Sequence, residues 1–320
     1  MTAVSKRKKN KATGKPQAFR RHRATTTVYP LHAMASLPRT YRLIVSCPDR
    51  LGIVAAVSSF LAQHGGWIIE ASQHADALAG WFFMRYEILA GSLTCEVAQL
   101  QQEFEPIARD FQMVWKLTDS AQPQRVVLLA SRETHCLADL LHRWRSDELF
   151  CVIPCVISNH QGLRDFVEWH GIPFHWAPVK SADRTAAFGR IHQLLHEYQA
   201  DTVVLARYMQ ILPPSLCDAY AGRIINIHHS FLPSFVGAKP YHQAYDRGVK
   251  LIGATCHYVT ATLDAGPIIE QDVIRVSHRH SLEEIVRLGK DVEKTVLARG
   301  LRYHLEDRVL IHGNKTVILE

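Results

Sequence analysis

Two successive α/β units of different kinds are predicted: a small ferredoxin-like α+β unit over residues 40–120, and a larger, mostly parallel α/β domain over 125–320. The first prediction rests on the element order β-α-β-β-α-β. The second rests on continuous apolar runs such as Val-Val-Leu-Leu at 126–129, which mark strands buried on both faces. Between the two lies Thr-Asp-Ser-Ala-Gln-Pro-Gln at 118–124, poor in apolar residues and read as a linker.

Tyr41 to Cys47 reads as a strand, followed by the turn-forming Pro48-Asp49-Arg50. From Leu51 to Gln63, the residues Ile53, Val54, Val57, Phe60 and Leu61 fall at helical spacing, and Gly65-Gly66 stops that helix. Two strands, Trp67–Asp76 and Gly80–Leu89, then a second amphipathic helix over Thr94–Asp110 and a strand over Phe111–Thr118 complete the first unit. In the second unit the predicted strands are Arg125–Ala130, Leu149–Ser158, Phe174–Val179, Thr202–Ala206 and Arg223–Ile227, with a helix over Leu137–Trp144 and further helices between. Two longer strands, Gly253–Ala261 and Pro267–Val276, precede a closing helix over Ser281–His304, which a Ser-x-x-Glu capping box at Ser281 and Glu284 begins.

A net charge of +7 would suggest a nucleic-acid partner, but the charge is concentrated at the N-terminus. Residues 1–38 hold nine Lys or Arg and no Asp or Glu, which exceeds the whole excess, so the remainder is slightly acidic. Residues 1–39 are therefore read as a disordered basic tail and nucleic acid is excluded as a partner. Three origins for the tail stay open: a solvated extension, non-native sequence before a start at Met34, or an acid-free organellar presequence. No run of about eighteen apolar residues exists to cross a membrane. The seven scattered cysteines, without a CxxC pair, fit a reduced cytoplasm better than a disulfide framework or zinc ribbon.

In an open α/β sheet, ligands sit beyond the carboxyl ends of the strands. One such end reads Asn226-Ile227-His228-His229-Ser230-Phe231-Leu232-Pro233, and strand alternation puts Asn226 and His228 on one face. A second end, Thr260-Ala261-Thr262-Leu263-Asp264-Ala265-Gly266-Pro267, sets a carboxylate on a tight loop. An amide N–H, an imidazole and a carboxylate are the parts needed to attack a carbonyl carbon and stabilise its oxyanion. Taken singly, each residue is explained as well by a structural hydrogen bond or a turn. Adjacent strand residues point to opposite faces, so Cys256 cannot act with His257 and is assigned to the core. No Cys or carboxylate stands at ligand spacing from His228-His229, so no metal is expected there.

The combination resembles the folate-dependent formyltransferases, whose pattern is Asn-x-His-x-Ser-x-Leu-Pro followed by Asp-x-Gly-Pro-Ile-Ile-x-Gln. Here these are Asn226, His228, Ser230, Leu232 and Pro233, then Asp264, Gly266, Pro267, Ile268, Ile269 and Gln271, with Gly237, Ala244, Gly248, Gly253, Thr255 and His257 also matching. Within that family, His229 in place of the usual Pro, Ala-Arg-Tyr-Met-Gln-Ile-Leu from Ala206 and Gly-Ala-Lys-Pro-Tyr-His-Gln-Ala-Tyr from Gly237 resemble the formyltetrahydrofolate deformylases. The resemblance implies a Rossmann-like formyltransferase domain with Asn226, His228 and Asp264 as catalytic residues. It further implies a folate-binding loop formed by Arg207, Tyr208, Met209, Gln210, Ile211 and Leu212, with His257 also among the substrate-binding residues. Thr255 and His257 are read either as supports for Asp264 or as packing residues.

The implied reaction is hydrolysis of 10-formyltetrahydrofolate, with the folate as substrate and no cofactor, balancing the one-carbon pool and supplying formate for purine synthesis. Transferases that use a ribonucleotide cradle its phosphate in a Gly-rich loop. The corresponding Ser131-Arg132-Glu133-Thr134-His135-Cys136 has no glycine and carries a carboxylate, so water is the expected acceptor. The rival readings are a formyltransferase with another amine acceptor and a non-catalytic folate or amino-acid sensor.

Cys-Pro-Asp-Arg-Leu-Gly-Ile-Val at 47–54 resembles an ACT regulatory domain. That resemblance implies a homo-oligomer and an amino-acid effector near Asp49, Gly52 and Trp67. Trp67 stands where the deformylase pattern has Asn, which removes an amide and adds bulk.

Overall fold

The computed structural model describes residues 38–180, 183–232 and 240–320. The tail over 1–37, including Met34, lies outside the described residues, as do Pro233 and Gly237 of the two motifs.

Strands β1 (Thr40–Pro48), β2 (Ile68–Asp76), β3 (Trp81–Leu89) and β4 (Val114–Asp119) form a wholly antiparallel sheet in the order β2-β3-β1-β4. Helices α1 (Ile53–Gln63) and α2 (Val97–Asp110) cover one face. Alternate residues of β1 and β3 (Leu43, Val45, Cys47, Met84, Tyr86, Ile88) meet the helical stripes Ile53, Val57, Phe60, Leu61 and Leu100, Phe104, Ala108 in one core.

The second unit contains β5 (Gln124–Ala130), α3 (His135–Arg145), β6 (Cys151–Val152), β7 (Val156–Ser158), α4 (Arg164–Trp169) and β8 (Phe174–Trp176). It continues with α5 (Arg184–Glu197), β9 (Thr202–Ala206), α6 (Pro214–Ala219), β10 (Ile224–His228), α7 (Pro240–Asp246), β11 (Leu251–Tyr258), β12 (Ile268–Arg275) and α8 (Leu282–Leu305). The sheet order is β12-β11-β10-β9-β5-β7-β8, with β6 also beside β5. Pairing is parallel from β10 to β8 and antiparallel for β11 and β12. Along β5, Val126, Leu128 and Ala130 enter one core, while Val127 and Leu129 enter a second on the opposite face. The apolar run is thus uninterrupted because both faces are covered.

Several predicted boundaries are corrected. The single strand expected over 149–158 is two short strands, because Pro154 has no N–H to give to the ladder. The strand expected over 174–179 ends at Trp176, and that expected over 253–261 runs instead from Leu251 to Tyr258. The linker shrinks to Ser120–Pro123. The capping box forms as expected, with Ser281 and Glu284 each accepting from the other's backbone N–H.

An antiparallel hairpin, β13 (Val309–His312) and β14 (Lys315–Ile318), was not anticipated. Leu310 and Leu319 of this C-terminal segment pack on Ile44 and Phe83, covering the small sheet's other face. A polar seam joins the same surfaces. Buried Arg85 pairs with Glu70 and Glu87 and donates to the Glu306 carbonyl, while buried Asp307 accepts from Lys116 and Thr118. The described residues between 38 and 320 consequently form one compact unit.

His304, at the end of α8, hydrogen-bonds Thr202 Oγ1 through Nε2 and Tyr258 Oη through Nδ1, each at 2.8 Å. Burial, helped by the Lys116 charge, pushes its pKa down to about 4. A histidine held neutral in the fold but free to charge near pH 6.5 when unfolded draws protons to the unfolded state as pH falls. Stability is therefore expected to decline from about pH 6.5 towards about pH 4. Melting temperatures at pH 7 and 5 should show this decline, and His304→Gln should make it shallower. An unchanged pH dependence would mean that His304 is not the proton acceptor.

Candidate active site

The parallel strand β10 ends between β9 and the antiparallel β11, with Asn226 opposite His257 and His228 opposite Thr255. Ile225 and Ile227 enter the core, so Asn226 and His228 face the other side of the sheet. There they meet Asp264, carried by the 259–267 loop between β11 and β12. Tyr258 N donates to the Pro267 carbonyl across the base of that loop at 2.9 Å. At Gly266 the chain runs so close to the Tyr258 carbonyl that a Cβ would overlap it. Asp264 itself has φ 53°, a left-handed conformation that Asp tolerates and most residues do not.

His228 Nδ1 lies 3.4 Å from Asp264 Oδ2. Hydrogen bonding to His228 holds the Asp264 carboxyl below its usual range despite partial burial, so it is a carboxylate. His257 Nδ1 contacts the Tyr258 carbonyl at 2.8 Å and must be the donor, because a carbonyl only accepts. Nε2 is then the acceptor, taking an N–H from Asn226 Nδ2 at 3.1 Å. Burial lowers the His257 pKa, which agrees with a neutral ring. At 3.8 Å from Asp264, that ring therefore orients Asn226 and is no ion-pair partner for the carboxylate. The second Asn226 N–H is left for a ligand. His228 Nε2 is buried and has no hydrogen-bond partner among the described residues.

Thr255, read as either a support for Asp264 or a packing residue, donates to the Ser230 carbonyl, accepts from Leu232 N and is bonded by Gln271. It shapes the turn after β10. Cys256 is fully buried in the core, as expected, and burial raises its thiol pKa.

The cavity in front of these groups has a volume of about 340 Å³ and is walled by residues 207–212, Asn226, His228, His229, His257, Leu263 and Asp264. All six residues of the expected folate loop line it, but they divide by orientation. Met209 and Ile211, each 55% exposed, and Leu263 at 58% present apolar surface to the cavity. Tyr208 and Leu212 are buried in the core beneath. The loop is pinned by Met209 N donating to Ser131 Oγ, and Ser131 Oγ donating to Asn159 Oδ1. Arg207, at φ 61°, turns away towards α8.

There it reaches Glu293, which the sequence reading did not single out. Glu293 is fully buried, with Oε2 at 2.7 Å from His135 Nε2 and 3.3 Å from Arg207 Nε, while Tyr241 Oη donates to Oε1 at 2.5 Å. Burial alone would raise its pKa, but His135, Arg207 and Tyr241 more than offset that and hold it ionised. The available signal was a carboxylate within the apolar stripe Ile285, Gly289, Glu293, Val296, Gly300 of α8. His135, Cys136 and Glu293 also bring ligand-type atoms within 4.8 Å of one another. Burial pushes the Cys136 thiol well up and Arg207 forms an ion pair with the carboxylate, which His135 and Tyr241 hydrogen-bond, so the cluster is built around a neutralised Glu293. Glu133, expected to repel a phosphate, is paired with Lys290 at 2.6 Å.

The three expected regulatory residues lie on the first unit. Asp49 and Gly52, the latter at φ 97°, flank the entry to α1, and Trp67 is 69% exposed before β2.

Residues 124–301 match the formyl transferase family. The chain is 49% identical over 278 residues to a formyltetrahydrofolate deformylase of Bacillus subtilis, covering 87% of this chain and 93% of that protein. Among solved structures, a formyltetrahydrofolate deformylase from Pseudomonas syringae pv. tomato is 67% identical with a TM-score of 0.88, covering 89% of this chain and 96% of that one. Another, from Burkholderia mallei, is 43% identical with a TM-score of 0.84, over 88% and 100% of the two chains.

Proposed function

Because the chain belongs to the formyltetrahydrofolate deformylases, and through residues 124–301 to the formyl transferase family, we propose that the pocket beyond β10 is where it hydrolyses 10-formyltetrahydrofolate to tetrahydrofolate and formate. The observation that carries the assignment to this pocket is the convergence of Asn226, His228 and Asp264 on one apolar-rimmed cavity.

The free N–H of Asn226 is suited to donate to the formyl oxygen as it becomes an oxyanion, while the unpartnered Nε2 of His228, bare because Nδ1 carries the ring's proton, is suited to take a proton. Asp264 accepts from His228 Nδ1 and stabilises the imidazolium that forms when His228 takes a proton. A carboxylate held below its usual range is a weak base, so the proton moves through His228 and Asp264 works by its charge. The exposed Met209, Ile211 and Leu263 hold the pterin ring. No cofactor enters this scheme.

The antiparallel four-stranded unit is read as an ACT domain. Its edge strands β2 and β4 leave ladder groups unpaired, which favours a homo-oligomer through those edges. An amino-acid effector would bind near Asp49 and Gly52, with exposed Trp67 at the rim. Among the described residues no helix is long and apolar enough to cross a membrane.

Purified protein, with a chelator present and no amine acceptor, is expected to release formate and tetrahydrofolate in equal amounts from 10-formyltetrahydrofolate. If tetrahydrofolate forms only when an amine is supplied, the protein is a transferase.

A further inference from the structure

We propose that His229, and not only the Asn226–His228–Asp264 set, defines the reaction by holding the attacking water against the formyl carbon; this rests on the hydrolase reading above. His229 lines the same cavity, with its ring centroid 5.3 Å from that of His228. The Tyr241 ring stands edge-on behind it at 6.1 Å, and the Arg207 charge is close enough to depress its protonation. These groups wall the ring on the protein side. No described residue hydrogen-bonds its nitrogens, although all six of its neighbours from residue 226 to 232 are described.

Burial first, then Arg207, brings the His229 pKa down to about 4, so at neutral pH the ring is uncharged. A neutral imidazole keeps one bare nitrogen and can accept a hydrogen bond from water, which an imidazolium cannot. A base that weak does not keep the proton. It fixes the water's position and leaves the proton to the adjacent His228–Asp264 pair.

The step then balances. The water oxygen forms a bond to the formyl carbon while one of its protons passes to His228, and the C–N10 bond breaks as that proton goes to the folate nitrogen. Formic acid loses its remaining O–H proton to solvent as formate. A transferase brings its own amine to this place and has no use for a water holder. The transferase pattern that this sequence resembles has Pro at the position, whose side chain offers neither donor nor acceptor.

The test compares His229→Ala, His229→Asn and His229→Gln for turnover, tetrahydrofolate affinity by calorimetry, and melting temperature. His229→Ala is expected to lower kcat about a hundredfold with tetrahydrofolate affinity and melting temperature near wild type. Because the amide oxygen of Asn or Gln can accept from water, at least one of the two should recover about tenfold of that loss. The proposal is overturned if His229→Ala keeps wild-type kcat, if affinity falls in step with kcat, or if neither amide variant recovers turnover. Failure of the wild-type protein itself to release formate would instead remove the hydrolase reading.

Discussion

Asp264→Asn is expected to lower kcat at least about a hundredfold, roughly 3 kcal/mol of transition-state stabilisation, while tetrahydrofolate still binds. Asn is the informative replacement because the residue sits at φ 53°, where Asn is tolerated nearly as well as Asp and Ala is strained. The backbone and the shape of the side chain are therefore kept. What changes is the charge 3.4 Å from His228 Nδ1, which the imidazolium needs as the proton transfers. Binding survives because the surface offered to the ligand, Met209, Ile211 and Leu263, is untouched. Cys256→Ala is the matched control: it lies on the neighbouring strand, faces the core and should stay active at a temperature well below melting. Near-normal turnover in Asp264→Asn would move the chemistry away from this carboxylate.

The parts of this molecule that were legible in the sequence are those fixed by local periodicity. Val126 to Ala130 announces a strand covered on both faces, and Asn226 and His228 share a face because strands alternate. Asp264 was visible as a carboxylate on a tight strand-end loop, but its assignment to catalysis took the family resemblance as well, since an Asp before Gly-Pro is by itself an ordinary turn. The C-terminal hairpin escaped because its partner is remote. Leu310 and Leu319 acquire meaning only against Ile44 and Phe83, more than two hundred residues earlier. Pro154 was a visible strand breaker, overridden in the reading by the apolar residues around it. His257 shows a different limit. Its place opposite Asn226 follows from strand register, but that it accepts from the amide depends on which nitrogen its own backbone contact occupies.

Glu293→Ala is expected to destabilise the protein by about 3–5 kcal/mol and to raise the folate KM at least about tenfold. The carboxylate is fully buried and is the shared partner of Arg207, His135 and Tyr241, so its loss leaves a buried guanidinium without a counter-charge. Arg207 also holds φ 61°, a conformation that costs a non-glycine residue about 1 kcal/mol and persists only where surroundings enforce it. Released from Glu293, residue 207 should relax towards ordinary backbone angles and drag Met209 and Ile211 out of register with Leu263. The effect on KM and the effect on stability can be separated. A double replacement, Arg207→Met with Glu293→Leu, removes both charges and fills similar volume, so it should recover much of the lost stability. It cannot restore the guanidinium's anchorage of the loop, so the weakened folate binding should remain. Urea unfolding read beside tetrahydrofolate calorimetry distinguishes these outcomes. Recovery of binding along with stability would show that Glu293 serves only to neutralise Arg207, and that the loop keeps its shape without either.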